Sequence, residues 1–156
     1  MLKNLKFKRT AEVLFIASFL GLVDMAYLTE AHYDGSALVC AAISKCNLVT
    51  TSAFSSIFGI PVALLGLAFY LAMLSGLAFY FFHEKRRPVI IALAAISGLA
   101  SLFSLYLIYI QAAELRAFCQ YCLLSDALTF LIFYLLARQL RQREESFPQM
   151  EGAIIK

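Results

Sequence analysis

The sequence predicts an all-α integral membrane protein, a four-helix bundle with a short amphipathic capping helix in its first outer connection. Of its 156 residues, 62% are hydrophobic and 15% are charged, whereas soluble domains average about 45–50% and 25%. Four apolar stretches approach the roughly 20 residues that a helix needs to cross a bilayer core of about 30 Å. None of them alternates strictly between apolar and polar residues, which argues against a barrel.

The four stretches are candidate membrane spans within a single domain covering residues 1–156. We place the spans at about 13–33, 61–82, 89–113 and 119–137. A basic start followed by apolar residues also describes a signal peptide, but Asp24 interrupts this run and no small-x-small cleavage site follows closely. The first span is therefore expected to be retained. The charged tail, residues 138–156, is expected to be flexible.

Basic residues fall on one side of the predicted bundle. They precede the first span, connect the second to the third and follow the fourth, whereas the opposite connections carry only Lys45 and Arg116. Because positive charge stays in the cytoplasm, both termini are expected to be cytoplasmic and segments 34–60 and 114–118 to face outside. The predicted location is the inner (cytoplasmic) membrane of the cell. No basic arm with interleaved aromatic residues is present, so no nucleic-acid partner is expected.

The long outer connection contains the predicted capping helix. Apolar residues alternate irregularly with serines and threonines over residues 47–58. This composition is typical of a short amphipathic helix that lies in the membrane interface. Gly59, Ile60 and Pro61 end it and start the second span.

All four cysteines lie in or beside the outer connections. Cys40 and Cys46 belong to the first connection, and Cys119 and Cys122 form a C-x-x-C at the start of the fourth span. Thiols outside the cytoplasm meet an oxidising environment, which favours disulfides. A helix N-terminus stabilises a thiolate, the attacking species in disulfide exchange. We expect Cys119 to be the more accessible sulfur and Cys122 to lie nearer the bilayer, where a lipid-soluble quinone could accept electrons.

Two non-catalytic alternatives remain open from the residues alone. The cysteines could form two inert disulfides, or all four thiolates could bind a structural zinc ion. The C-x5-C spacing is wider than that of a usual zinc knuckle, so no metal site is assigned. The sequence leaves the pairing of the cysteines open.

The motifs resemble the vitamin K epoxide reductase family in its prokaryotic branch, over roughly residues 11–136. The likeness rests on Cys40-x5-Cys46, on Ser52, on Gly59-Ile60-Pro61 and on Cys119-x-x-Cys122, in this order. Many prokaryotic members carry a fused thioredoxin-like domain after the fourth helix, and this sequence ends shortly after its fourth span. The resemblance therefore implies a separate thioredoxin-like partner outside the cytoplasm.

The resemblance also implies a role for each cysteine in a thiol:quinone oxidoreductase that supports disulfide bond formation. Cys40 would exchange with the thioredoxin-like partner, and Cys46 would pass the electrons to Cys119. Cys122 would then hand them to ubiquinone or menaquinone. Ser52 would be the family's hydroxyl that helps to organise the centre; the alternative is an N-cap or interface hydroxyl without a catalytic part.

Two departures from the animal enzymes bear on the substrate. Ser55 stands where they have an Asn that binds the naphthoquinone, and Asp126 stands where they have a Tyr. Ordinary quinone reduction is therefore favoured over its alternative, reduction of vitamin K quinone or its epoxide. We take Cys122, Asp126, Ser55 and Val62 as candidate quinone-binding residues. Asp126 lies one helical turn beyond Cys122. It would either help to protonate the quinone or form a structural pair with another polar side chain.

Two acidic and three aromatic residues within the spans have candidate roles. Asp24 and Glu30 are expected to form hydrogen bonds between helices or to reach the interface, because a charge in lipid is costly. Phe103, Tyr106 and Tyr109 could line a quinone slot, although such stripes more often face the core or lipid.

Overall fold

The computed structural model describes residues 2–35, 38, 40, 45–82 and 86–144. The predicted tail beyond Glu144 lies outside these residues. Along the described part of the chain, the elements are α1 (Leu2–Asp34), α2 (Cys46–Thr50), a 3-10 turn (Ala53–Ser55), β1 (Ser56–Ile57), β2 (Ile60–Pro61), α3 (Val62–Phe82), α4 (Arg86–Tyr109), a π-helical turn (Ile110–Glu114) and α5 (Gln120–Glu144).

Four of these helices are long and apolar enough to cross a membrane, which confirms the predicted fold class. Their spanning parts are Arg9–Asp34, Val62–Tyr80, Arg87–Glu114 and Gln120–Gln142, the third including the π-helical turn. Large apolar side chains such as Leu99 and Leu102 point away from the protein and are mostly exposed. Such a surface is stable in contact with lipid. The chain is a multi-pass membrane protein.

The helices extend beyond the predicted spans at several ends. α1 begins at Leu2 instead of residue 13, and α5 continues to Glu144, seven residues past the predicted end at residue 137. Apolar length measures the part of a helix inside lipid, and a helix continues into water until a residue or a cap ends it. Residues 138–144 of the predicted flexible tail are thus helical.

The bundle is held by close contacts between its helices. α1 packs against α3 and α5, and α4 packs against α5 and α3. Gly21 on α1 lies directly under the ring of Tyr70, where a Cβ atom would be only 2.2 Å from the ring carbons. Gly66 on α3 leaves similar room for Met25 of α1. Missing Cβ atoms thus let α1 and α3 approach, as is common where membrane helices meet.

The capping segment is more divided than the predicted single helix over residues 47–58. Its helical part, α2, ends at Thr50, and the 3-10 turn leads into a two-stranded antiparallel hairpin in which Ser56 pairs with Pro61. Hydroxyls of the segment bond back to carbonyls three or four residues earlier, which competes with a regular helix. The hairpin turns at Phe58 and Gly59, both with positive φ.

Candidate functional site

A backbone hydrogen bond joins the segments that precede α2 and α5, beside the cysteines. The N–H of Lys45 donates to the carbonyl of Phe118 at 3.1 Å. Each of these residues immediately precedes a cysteine, and both cysteines, Cys46 and Cys119, are buried, with 1% and 0% of their surface exposed. They belong to one apolar cluster, against which Cys40 and Cys122 also pack. The fold therefore brings the two sequence-distant cysteine pairs together.

The first pair is a disulfide between Cys40 and Cys46, with 6.3 Å between the Cα atoms. Cys40 is half-buried, whereas Cys46 begins α2 and is covered by its neighbours. The N–H of Leu38 donates to the side-chain oxygen of Asn47 at 2.9 Å, which ties the loop before Cys40 to α2. Cys40 is thus the sulfur of this pair that lies nearer to solvent.

The second pair, Cys119 and Cys122, is present as two thiols at the start of α5. The N–H of Cys122 points at the sulfur of Cys119, 3.4 Å away. The hydrogen bond from the Cys122 thiol lowers the pKa of the Cys119 thiol, assisted by the N–H groups of Cys122 and Tyr121 and opposed by burial. This environment favours a thiolate on Cys119.

The expected order of access within the C-x-x-C is wrong. Cys119 is fully buried, and Cys122 is the half-buried member that lines a cavity. The bond between Lys45 and Phe118 places Lys45, the residue before Cys46, beside the residue before Cys119. The sequence prediction considered the helix start alone, where the first sulfur would be open.

A π-helical turn positions the C-x-x-C from the other side. Within Ile110–Glu114, Gln111 is buried, and its carbonyl accepts the N–H of Ala117 at 3.1 Å. Its side-chain oxygen accepts the N–H of Cys119 at 3.0 Å. π-Helical turns often occur at functional sites. Sequence analysis missed Gln111, and the available signal was a polar amide near the outer end of an apolar span.

A cavity of about 330 Å³ opens beside Cys122 between the capping segment and the helices. All the predicted quinone-binding residues line it, namely Cys122, Asp126, Ser55 and Val62, and so does Ser52. Of the three candidate aromatic residues, Phe103 lines the cavity, whereas Tyr106 and Tyr109 are exposed on the lipid-facing side. Most of the remaining wall is apolar, with Met25, Leu28, Leu107 and Ile110 among its members.

The serines of the capping segment already donate hydrogen bonds within it. The hydroxyl of Ser52 donates to the carbonyl of Val49 at 2.7 Å, and that of Ser55 donates to the carbonyl of Ser52 at 2.8 Å. Each hydroxyl has one proton. Both serines therefore shape the cavity wall and present only lone pairs to a ligand.

Tyr70 joins α3 to α5 in the cavity wall, a role that the sequence did not reveal. Its fully buried hydroxyl lies 2.8 Å from the carbonyl of Ser125 and 3.1 Å from the hydroxyls of Ser125 and Thr129. A tyrosine in an apolar span carries no sign of its partners. Only the packing of α3 on α5 identifies them.

The acidic residues of the spans fall into two environments. Asp126 lines the cavity and accepts a hydrogen bond from Ser104, and Asp24 is buried in α1. One carboxyl oxygen of each aspartate has no hydrogen-bond partner among the described residues. Glu30 is exposed near the C-terminal end of α1. Within the described residues, no group of three or more His, Cys, Asp or Glu side chains could hold a metal ion.

Comparison with known proteins matches the sequence to a redox family. The sequence model of the vitamin K epoxide reductase family matches residues 12–137, a range that includes all four cysteines. The chain is also 29% identical over 130 residues to the thiol-disulfide oxidoreductase LTO1 of Arabidopsis thaliana. That alignment covers 79% of this chain and 35% of LTO1, so the chain spans about a third of that protein's length.

Proposed function

The chain belongs to the vitamin K epoxide reductase family, and on that premise we propose that it is a membrane thiol:quinone oxidoreductase. It takes electrons from an extracytoplasmic thioredoxin-like protein, passes them through its two cysteine pairs and reduces ubiquinone or menaquinone. The observation that carries this proposal is the clustering of four cysteines in which Cys40 lies toward solvent and Cys122 lines an apolar cavity.

The first half of the cycle is disulfide exchange with the partner. A thiolate of the partner attacks the half-buried sulfur of Cys40 and releases Cys46 as the leaving thiolate. The partner's second thiol then displaces Cys40, so that the partner leaves with a disulfide and the two cysteines hold its two electrons. Attack at Cys46 would require the partner to reach a buried sulfur, which the exposure of the pair disfavours.

The second half is exchange between the two cysteine pairs. The thiolate of Cys46 attacks the sulfur of Cys119 in an oxidised Cys119–Cys122 disulfide, and Cys122 leaves. Cys40 then displaces Cys119, which restores the Cys40–Cys46 disulfide and leaves Cys119 and Cys122 as thiols. The pairing found in the structure, one disulfide and two thiols, corresponds to this point of the cycle.

The cavity suits a quinone ring as the acceptor. Its volume of about 330 Å³ falls in the roughly 300–1,000 Å³ range of small-molecule sites, which are mostly apolar with a few polar groups. A bound quinone would accept two electrons and two protons. Cys122 supplies a sulfur to the cavity wall, which Ser55 of the capping segment and Val62 at the start of α3 also line. Ser52 holds the capping segment in place through Val49.

Asp126 is proposed to carry protons between the thiols and the cavity. Oxidation of two thiols releases two protons, and reduction of the quinone consumes two. The reaction therefore needs a group that carries protons from the thiols to the quinone, and it takes no protons from solvent overall. Asp126 lies one helical turn from Cys122, is buried, and has an oxygen that no described residue bonds. A carboxyl there can accept a proton and release it to a ligand in the cavity.

We further propose an orientation with both termini in the cytoplasm of a cell whose inner membrane holds the protein. Four spans return the chain to the side on which it starts, and Arg87, Arg138 and Arg141 lie at that end of the bundle. Positive charge near the ends of the spans is retained in the cytoplasm. Cys40 then faces the outer compartment, where a thioredoxin-like partner would meet it.

A quinone-reduction assay on the purified protein tests the proposal. With a reduced thioredoxin-like protein as donor, we expect the parent to reduce a short-chain ubiquinone and both Cys122→Ala and Cys40→Ala to be inactive. With a small dithiol as donor, Cys40→Ala should recover turnover because the dithiol bypasses the first pair, whereas Cys122→Ala should not. Turnover by Cys122→Ala at the parent's rate would refute the relay.

A further inference from the structure

The hydroxyls that line the cavity already donate hydrogen bonds to other groups of the protein. Besides Ser52 and Ser55, the hydroxyl of Thr50 donates to the carbonyl of Cys46 at 3.0 Å, and that of Tyr70 donates to the carbonyl of Ser125. A hydroxyl carries one proton, so a hydroxyl already donating can only accept from a ligand. The two oxygens of a quinone also only accept.

The same holds for the hydroxyls deeper in the cavity. Because the proton of Tyr70 goes to a carbonyl, the hydroxyls of Ser125 and Thr129, each 3.1 Å from the tyrosine oxygen, must donate to it. The hydroxyl of Ser104 donates to Asp126. A quinone in this cavity would find many oxygen atoms and few available protons.

The carboxyl of Asp126 can donate only while it is protonated, and the thiol of Cys122 only while it is reduced. Gln111 is a buried cavity-lining residue that supplies a donor in every state of the site. Its side chain is only 3% exposed, and it lies in the π-helical turn at the cavity wall. Of the two polar atoms of a side-chain amide, only the oxygen can accept a hydrogen bond from a backbone N–H. The bond from Cys119 therefore identifies the nitrogen of the Gln111 amide, an NH₂ group with two protons to donate. His32, the other lining residue with a side-chain N–H, is exposed, and water competes for its hydrogen bonds.

We propose that Gln111 binds the quinone: its NH₂ group donates a hydrogen bond to a ring carbonyl while its oxygen holds the N–H of Cys119. This inference rests on the proposed function and identifies the residue that orients its acceptor. The Gln111 amide then sets the position of the quinone relative to the C-x-x-C. Because the amide is buried, its hydrogen bond is stronger than one made at the surface.

A pair of matched ligands separates this role from a structural one. 2,3-Dimethyl-1,4-naphthoquinone and 2,3-dimethylnaphthalene share a ring system and differ in the two carbonyls. Their dissociation constants are measured on the full chain in nanodiscs, after oxidation of Cys119 and Cys122 to prevent turnover. Gln111→Glu keeps an acceptor for Cys119 and has no donor when it is measured at a pH at which its carboxyl is ionised, whereas Gln111→Met loses both donor and acceptor.

We expect both variants to bind the naphthoquinone about tenfold more weakly, as for the loss of one buried hydrogen bond. The hydrocarbon should bind as it does to the parent, which also shows that the cavity is intact. Gln139→Glu, which makes the same change outside the cavity, should alter neither constant. Unchanged naphthoquinone binding in the two variants, or parallel weakening of both ligands, would overturn the assignment of Gln111.

Failure of this inference and failure of the proposed function are distinguishable. If the parent reduces quinone with a thiol donor while the Gln111 variants keep full naphthoquinone affinity, the inference alone is wrong. If the parent transfers no electrons from thiols to quinone, the proposed function is wrong whatever the variants bind.

Discussion

Replacing Tyr70 with Phe tests whether the cavity wall is held by the hydrogen bonds between α3 and α5. The change removes one oxygen and leaves the ring over Gly21 in place. It deletes three contacts, one of 2.8 Å and two of 3.1 Å, to Ser125 and Thr129. No cavity larger than the lost oxygen is created, so the effect on stability comes from these hydrogen bonds.

The expected loss is about 2 kcal/mol of unfolding free energy, since hydrogen bonds between membrane helices average about 0.6 kcal/mol each, with maxima near 1.7. The hydroxyls of Ser125 and Thr129 can turn back to carbonyls of their own helix, which keeps the loss below the maximum. For a protein of this size, each kcal/mol shifts the unfolding midpoint by roughly 2–4 °C. We therefore expect a midpoint lower by about 4–8 °C.

Thermal unfolding in a mild detergent, followed by circular dichroism, measures this shift. Tyr134→Phe is the matched control, because Tyr134 lies on α5 with 59% of its surface exposed, and it should change the midpoint by less than about 1 °C. A double-mutant cycle with Thr129→Val isolates one of the three contacts. If Tyr70→Phe unfolds at the parent's temperature, the buried hydroxyl does not link the two helices.

Three further predictions concern the thiols, the packing and proton transfer. Cys122→Ala removes the thiol that lowers the pKa of Cys119, so the pH at which Cys119 becomes reactive to a small alkylating reagent should rise. Cys122→Ser keeps a hydroxyl donor and should shift it less; equal shifts would contradict this cause. Gly21→Ala places a Cβ atom against Tyr70 and should destabilise the protein by about 1–3 kcal/mol in the same unfolding assay. Asp126→Asn cannot take up a proton and should slow quinone turnover by about tenfold or more, with reduction of the Cys40–Cys46 disulfide unchanged; unaltered turnover would remove the role of Asp126.

Several features of the site followed from local sequence. The four spans are visible because lipid requires long apolar runs. The resemblance predicts Ser55, helical spacing predicts Asp126, and a position near the mouth of the second span predicts Val62; all three line the cavity beside Cys122. Helical spacing is a local property, so a residue one turn from Cys122 can be named without knowledge of the tertiary structure. Their roles in binding and proton transfer remain predictions.

Other features depend on contacts between residues far apart in the chain. Cys119 is buried in a cluster with residues from several helices, beside the bond between Lys45 and Phe118, and no periodicity encodes these contacts. The amide of Gln111 gains a function only because the π-helical turn brings it to the N–H of Cys119. The hydrogen bonds that the cavity hydroxyls donate, including that of Tyr70, likewise depend on acceptors that the folded chain brings within reach.

The amino-acid sequence by itself determined a membrane-spanning helical bundle with four cysteines grouped at one end. Hydrophobic length and charge distribution act along the chain and can be counted from the sequence. Tertiary structure alone decided which sulfur is buried, which faces the cavity and which side chains still have protons to donate there. These properties depend on the distances between atoms of different helices, and packing sets those distances.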